Sequence, residues 1–247
     1  LKGGDKIISI DGNNISDLGV ATQQLLKGKK NSYVMLSFER NGETKRIKVK
    51  RAGITPKAVP VAKLMDGDIG YIALDRFSKT ASQEVESALK LFMIDDAKGV
   101  ILDLRNNPGG LLQEAVKIVN FFVPKGQLVV STKSNIEGFN QNFVTRKQPL
   151  SLDIPLVILI NNKSASASEI VAGALQDLDR AVVIGKRSFG KGLVQRPKAL
   201  PYGGQLKVTI SRYYTPSGRC IQALDYQNRA EDGKASKYGV NDFRAFK

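Results

Sequence analysis

Short apolar segments of strand length alternate with amphipathic helical patterns through the middle of the chain. The segments Gly99–Leu104 and Leu156–Ile160 are apolar almost throughout, which is typical of parallel strands buried on both faces. Residues 80–93, 111–122 and 167–178 instead place apolar side chains at the spacing of one helix face. Strands that alternate with helices in this way predict an α/β layer structure for this part of the chain.

The first fifty residues follow a different pattern. Two alternating segments, Tyr33–Arg40 and Thr44–Arg51, flank the hairpin signal Asn41-Gly42, and a helical pattern over 17–26 ends at Gly28. This predicts a small α+β module ahead of the α/β core. The expected divisions are a module at 1–53, a proline-containing linker at 54–66, a core at 67–225 and a C-terminal segment of unassigned structure at 226–247.

Two residue counts exclude whole classes of chemistry. The 247 residues contain no histidine, and Cys220 is the only cysteine. The first count excludes Ser–His–Asp and Cys–His catalysis and every imidazole metal site. The second excludes an intramolecular disulfide and a zinc site made of cysteines. An enzyme of this composition must therefore move protons with Lys, Asp, Glu, Tyr or Cys.

The formal net charge of +15 is concentrated in two regions. Residues 1–57 hold twelve Lys and Arg against five Asp and Glu, and residues 181–219 hold eight against none. Basic surfaces attract nucleic acid, anionic lipid or acidic protein. No nucleic-acid-binding motif accompanies them, so we expect no nucleic-acid partner and interpret most of the excess as solvated strand faces. No apolar run is long enough for a transmembrane segment.

The first candidate site is the run from Asn161 to Ile170, where a buried strand ends and a helix begins. Ser166 and Glu169 have the spacing of a capping box, which is a purely structural interpretation. The same geometry also presents a serine on a rigid corner beside free helix N–H groups. The amide of Ala167 would then point to where an oxyanion forms.

Two glycine-rich segments are further candidates. Gly185–Gly192 nearly matches a phosphate-binding loop, but Gly192 stands where the magnesium-binding hydroxyl belongs and extended chain follows, so we expect no nucleotide binding. Asp103–Gly110 runs from a buried strand into a Pro-Gly-Gly turn, whose backbone N–H groups can approach an anion closely. Without histidine, a serine nucleophile needs another base, and a desolvated lysine such as Lys191 can serve.

These segments resemble one known family, the carboxy-terminal processing peptidases or tail-specific proteases. The resemblance rests on Ser164–Gln176, Gly185–Gln195, Asp103–Gly110 and the run Tyr214–Arg219, in that family's order and spacing. Leu1–Arg51 looks like the later part of the family's PDZ domain. The chain begins at Leu1 without methionine, and we expect it to be truncated at both ends relative to the family.

The resemblance implies a role for each matching residue. The nucleophile falls on Ser166, the general-base lysine on Lys191 and the orienting glutamine on Gln195. The oxyanion donors fall on the amide of Ala167 and on a glycine amide of the Pro-Gly-Gly turn, where Gly109 is favoured. The missing family segments lead us to expect no direct hydrogen bond between Lys191 and Ser166 in the resting chain.

The resemblance also implies a fold and a setting. The fold is a crotonase-like α/β spiral of strand–helix units preceded by the partial PDZ-like module. The expected function is that of a serine endopeptidase with a Ser-Lys(-Gln) site, which needs no cofactor or metal and cleaves proteins near unstructured C-terminal tails. The family suggests export to the bacterial cell envelope or periplasm and leaves the oligomeric state open. The alternative is a non-catalytic PDZ-type scaffold that binds peptides.

Overall fold

The computed structural model describes residues 1–17, 22–53, 56–136, 138–229, 232 and 235–237. The chain forms two compact units, Leu1–Pro56 and Lys57–Lys247. The division lies within the expected linker, next to Pro56. Each unit has its own sheet and its own cluster of buried apolar side chains.

The N-terminal unit is a four-stranded antiparallel sheet with one short helix. Its elements are β1 (Lys6–Ile10), β2 (Asn13–Asn14), α1 (Thr22–Leu26), β3 (Tyr33–Arg40) and β4 (Glu43–Lys50), with the sheet order β2-β1-β3-β4. Asn41 and Gly42 have φ of 53° and 81°, as the predicted hairpin turn requires. Within the predicted helix 17–26, Leu18 and Ala21 lie outside the described residues.

The second unit is built on a five-stranded mixed sheet. The described strands of the whole unit are β5 (Val61–Met65), β6 (Ile69–Ala73), β7 (Gly99–Asp103), β8 (Leu128–Lys133), β9 (Gln141–Val144), β10 (Leu156–Ile160), β11 (Val182–Gly185), β12 (Leu193–Ala199), β13 (Gln205–Tyr214), β14 (Leu224–Arg229) and β15 (Ala235–Lys237). The main sheet has the order β11-β10-β7-β6-β5, in which β5 alone is antiparallel to its neighbour. The α/β prediction for this region is confirmed.

The expected linker of 54–66 is not a linker throughout, because residues 61–65 form the strand β5. All five residues of β5 are exposed, so the segment lacks the alternation that marks a half-buried strand. It is a strand because its backbone pairs with β6 through a turn in which Gly67 and Asp68 have positive φ. Ala58 and Val59 are also buried in the main core.

Three helices supply a large part of the main core. They are α2 (Ala81–Ile94), α3 (Leu112–Asn120) and α4 (Ala167–Asp177), and all three contribute fully buried side chains. A second sheet has the order β12-β13-β8-β9, and its strand β8 contacts α3 and α4. A separate antiparallel pair, β14 and β15, begins at Leu224 and continues into the segment 226–247, to which the sequence assigned no structure.

The sheet topology brings two distant loops together. Strands β7 and β10 are parallel neighbours, with Leu159 beside Asp103. Their carboxyl ends therefore lie at the same edge of the sheet, which is where open α/β sheets bind ligands. The loops that follow contain two of the three candidate segments.

Candidate active site

Hydrogen bonds join the loops that follow β7 and β10. The Asn106 N–H donates to Asn161 Oδ1, and Asn161 Nδ2 donates to Asn106 Oδ1, each at 3.0 Å. The Ala165 N–H donates to the Asn107 carbonyl, also at 3.0 Å. Asn107 is fully buried, and its side chain donates to the Leu74 carbonyl at 2.6 Å. The Pro-Gly-Gly turn is thus held against the serine-rich corner.

The three serines of that corner differ in what they contact. Ser164 and Ser168 are completely buried. The Ser164 hydroxyl donates to the Leu104 carbonyl at 2.7 Å, and the Ser168 hydroxyl donates to the Asn107 carbonyl at 3.0 Å. Ser166 between them is only half-buried. The outer two serines therefore bind loop backbone, and Ser166 is the one that solvent reaches.

Ser166 is the N-cap of α4 and has a strained backbone. Its φ of 56° and ψ of −113° lie outside the favoured regions for a residue with a side chain. Such residues persist only where the surrounding structure holds them, and they cluster at functional sites. The corner between β10 and α4 is therefore held in a conformation that this short loop would not adopt alone.

One buried carboxylate binds both candidate segments. Glu169 accepts the Ser166 N–H at Oε2 (2.8 Å), the Gly190 N–H at Oε1 (2.6 Å) and the Lys191 N–H at Oε2 (2.8 Å). Burial raises the pKa of Glu169 above its usual value, and hydrogen bonds from Ser188 and these N–H groups offset only part of that rise. Sequence reasoning used Glu169 only as the third helix residue of a capping box.

The backbone of the Lys191 loop is fixed on several sides. The Phe189 N–H donates to the Ser164 carbonyl, and the Ala223 N–H donates to the Gly190 carbonyl, each at 3.0 Å. A Cβ on Gly190 would lie 2.1 Å from the Ala223 methyl, so only glycine fits this approach. These contacts place the Lys191 backbone beside the α4 N-terminus.

The Lys191 side chain is exposed and lines a cavity of about 250 Å³ together with Pro108, Lys163, Ala165 and Phe189. In the described part of the chain, Lys191 Nζ forms no hydrogen bond, either with the Ser166 hydroxyl or with another group. The expected absence of a direct contact is therefore what the resting structure has. Ala165, the residue before Ser166, is among those that line this cavity.

The glycine turn lies directly against the Ser166 corner. Gly109 has a φ of 97°, and a Cβ built on it would lie 2.8 Å from Ala167 N and 2.9 Å from Ser166 Cβ. The Gly109 N–H itself donates to Asn107 Oδ1 at 2.8 Å. Among the described residues, the amides of Ala167 and Gly110 have no acceptor. The Gly109 amide, which was the favoured oxyanion donor, is thus already bonded.

Gln195 is not in contact with the Lys191 amine. It lies on β12 at a bulge next to Val194, and its Nε2 donates to Thr209 Oγ1 on β13 at 3.3 Å. The side chain is exposed to solvent. The sequence spacing of four residues from Lys191 suggested a direct contact that the bulged strand does not provide.

Sequence reasoning also missed a polar cluster at the end of β7. Asp103 is nearly buried and accepts the Tyr71 hydroxyl at 2.7 Å and the Arg105 guanidinium in a fork. Burial opposes ionisation, but hydrogen bonds from Arg105 and Tyr71 outweigh it and lower the pKa of Asp103. The cluster fixes the strand end from which the glycine turn starts.

No group of three or more potential metal-ligating side chains occurs among the residues that the structure describes. None of the described helices is both long and apolar enough to cross a membrane.

Sequence comparisons identify relatives across most of the chain. The model of peptidase family S41 matches residues 68–228, and a PDZ domain model matches residues 1–50. A carboxy-terminal-processing protease of Bartonella bacilliformis is 40% identical over 227 residues, which is 90% of this chain and 52% of that protein. A probable CtpA-like serine protease of Staphylococcus aureus is 39% identical over 88% of this chain and 44% of that protein. The chain thus spans about half the length of the curated relatives it matches.

Solved structures of related proteases also match this chain. A photosystem II D1 C-terminal processing protease matches with a TM-score of 0.60 and 30% identity, over 90% of this chain and 61% of that one. A putative S41 protease from Bacteroides fragilis matches in fold, with a TM-score of 0.60 and 20% identity over 89% of this chain and 63% of that one. Because the family model covers more than half of the sequence, this chain belongs to peptidase family S41.

Proposed function

We propose that the protein is a serine endopeptidase that cleaves protein substrates near unstructured C-terminal tails, with Ser166 as nucleophile and Lys191 as general base. The observation that carries this proposal is the buried Glu169 carboxylate, which binds the backbone N–H of both residues. Ser166 and Lys191 are thereby tied to one group although 25 positions separate them in sequence.

The proposed reaction is acyl transfer through a covalent intermediate. Lys191, as the neutral amine, removes the proton from Ser166 Oγ, which attacks the peptide carbonyl. The protonated amine then gives its proton to the leaving nitrogen, and the C–N bond breaks. Water attacks the acyl-enzyme in the same way and releases Ser166. Substrate binding must first exclude water from the cavity that Lys191 lines, because its amine is exposed in the resting chain.

The oxyanion donors in this mechanism are the amides of Ala167 and of one glycine in the Pro-Gly-Gly turn. We place the second donor at Gly110, because the Gly109 N–H already donates to Asn107. Gly109 contributes by its lack of a side chain, which leaves space beside Ala167 N for the oxyanion. One such donor contributes about 3 kcal/mol to transition-state stabilisation in other acyl-transfer enzymes.

Gln195 acts in this proposal only after a change of rotamer. To orient the Lys191 amine it must leave Thr209, to which it is joined by a single long and exposed hydrogen bond. Substrate entering beside β12 is the event that would displace it. Gln195 is therefore a positioning residue, and its replacement should reduce turnover less than replacement of Lys191.

The wider assignments rest on the family. We propose that the second unit is a crotonase-like spiral and that residues 1–50 are part of a PDZ domain, which binds a substrate tail as an added strand. An extended tail fits a site that lies between the loops that follow β7, β10 and β11. The relative named as a carboxy-terminal-processing protease supports this substrate class, and the bacterial envelope location is proposed from the family resemblance alone.

The decisive experiment combines cleavage with labelling. Ser166→Ala and Lys191→Ala should each abolish cleavage of an unstructured polypeptide, and a fluorophosphonate should label Ser166 alone, as read by mass spectrometry. Lys163→Ala, which changes another lysine of the same cavity, is the matched control and should retain labelling. The scaffold alternative would instead be established if the wild-type chain, or one extended to family length, binds the polypeptide but neither cleaves it nor reacts with the fluorophosphonate.

A further inference from the structure

One face of the N-terminal sheet is strongly basic. Along β3, Val34 and Leu36 point into the core, so the residues between them point to solvent. The strand register pairs the outward residues across β3 and β4 as Tyr33 with Lys50, Met35 with Lys48, Ser37 with Arg46 and Glu39 with Thr44. Since β4 is an edge strand, this face (the basic face) ends in a row of cations.

The cations of the basic face have no carboxylate partners. In the described part of the chain, Arg46, Lys48 and Lys50 form no ion pair; the nearby acids Asp5 and Glu43 pair with other cations. Successive outward residues of β4 are about 7 Å apart at 3.4 Å per residue. That spacing is below the screening length of about 8 Å at physiological salt, so their potentials add.

A lysine loop extends the basic face beyond Tyr33. Lys27, Lys29 and Lys30 are exposed in the connection between α1 and β3. Arg51 holds this connection, because its guanidinium donates to the carbonyls of Leu25, Leu26 and Tyr33 at 2.6–2.9 Å. The loop therefore presents its lysines from a fixed backbone.

Two large side chains lie among these cations. Tyr33 is 51% exposed and Met35 is 41% exposed. Lys48 Nζ lies over the Tyr33 ring, 4.5 Å from its centre. A face that combines exposed aromatic and apolar side chains with surrounding lysines matches the headgroup region of an anionic bilayer. Two carboxylates lie near this face: Glu39, at the far end from Lys50 and opposite Lys6 of β1, and Asp11, which accepts the Met35 N–H at 2.8 Å and lies 3.7 Å from the Arg51 guanidinium.

We propose that the basic face docks the N-terminal unit on an anionic lipid bilayer. Lysines outnumber arginines among its cations, and a lysine ammonium is a point charge without the fork that binds carboxylates bidentately. This favours the diffuse charge of a headgroup layer over the fixed carboxylates of an acidic protein. Docking by side chains also leaves the backbone of the sheet free for other partners.

The test measures binding of the whole chain to vesicles by co-sedimentation. Phosphatidylcholine vesicles that contain phosphatidylglycerol should bind the chain, pure phosphatidylcholine vesicles should not, and added salt should weaken binding. The variant Arg46→Gln/Lys48→Gln/Lys50→Gln should bind about a hundredfold more weakly, because each basic residue near an anionic surface contributes about fivefold. The control variant Lys63→Gln/Lys79→Gln/Lys125→Gln removes the same charge from the second unit and should bind within about threefold of wild type.

Tyr33→Ser/Met35→Ser should remove the part of binding that persists at high salt. Circular dichroism checks that each variant is folded, and the salt dependence of the wild-type chain is a measurement that needs no variant. Equal losses in the two triple variants, no binding to the anionic vesicles, or tighter binding to polyglutamate than to the vesicles would each overturn the proposal.

Discussion

Glu169 Oε2 accepts the Lys191 backbone N–H at 2.8 Å, and this hydrogen bond joins the first turn of α4 to the loop that follows β11. The same carboxylate accepts the N–H of Ser166 and of Gly190. The distance between the proposed nucleophile and its base is therefore controlled by a third residue.

Glu169→Gln should lower both stability and activity. A glutamine keeps one acceptor oxygen and places an NH₂ group against the N–H donors, so at least one of them loses its partner. We expect the free energy of unfolding to fall by about 2 kcal/mol, the usual cost of a buried unsatisfied group, and kcat to fall more than tenfold. Urea unfolding and cleavage kinetics measure these effects. Glu86→Gln, on the outer part of α2, is the control and should change neither.

Stability should respond to pH through Asp177 at the other end of α4. Burial opposes ionisation of Asp177, but hydrogen bonds from Ser217, Thr215 and Arg219 lower its pKa. A folded-state pKa below the unfolded value contributes stability above the unfolded pKa, and that stability is lost as pH falls through the folded pKa. Asp177→Asn should therefore cost about 2 kcal/mol at neutral pH and progressively less below the unfolded pKa of about 4.

Urea unfolding of the wild-type chain and Asp177→Asn at a series of pH values measures that difference. For Glu169 the pH dependence of stability has the opposite sign. Burial raises the pKa of Glu169, so its contribution to the free energy of unfolding falls as pH rises. A cost of Asp177→Asn that stays constant down to acidic pH would show that the carboxylate charge plays no part.

Gly109→Ala should abolish activity while the protein still folds. The new methyl would lie 2.8 Å from Ala167 N, in the space proposed for the oxyanion, at a φ of 97°. We expect kcat to fall at least a hundredfold, as when one oxyanion donor is lost. Gly126→Ala is a matched control, because Gly126 has a φ of 90° and nothing within 4 Å of its Cβ position. Near-equal activity of the two variants would argue against an oxyanion site in the space between Gly109 and Ala167 N.

Ser164→Ala and Ser166→Ala should have opposite effects. The Ser164 hydroxyl donates to the Leu104 carbonyl and accepts the Asn161 N–H, so its loss should cost about 1–2 kcal/mol of stability. Labelling of Ser166 by a fluorophosphonate should nevertheless continue in Ser164→Ala. Ser166→Ala should keep wild-type stability within about 1 kcal/mol and lose labelling and cleavage. Thermal unfolding and peptide mass spectrometry distinguish the two serines.

Much of the architecture could be predicted from local pattern. The apolar segments at β7 and β10 indicate buried parallel strands, and the Asn41-Gly42 signal indicates the first hairpin, because these depend on residues close in sequence. The N-cap position of Ser166 follows from its spacing to Glu169 in the same way. The absence of histidine is a property of the sequence itself and excludes imidazole chemistry in any fold.

Only the tertiary structure decided the contacts between distant segments. Strand β5 has no apolar alternation and exists because β6 pairs with its backbone. The bond from Gly109 to Asn107, the bond from Gln195 to Thr209 and the three bonds of Glu169 depend on how loops meet across the sheet. Periodicity reports which face of an element is apolar, whereas these contacts depend on register, bulges and strained corners. For that reason the sequence identified the candidate residues, and the fold determined which of their atoms remain free to react.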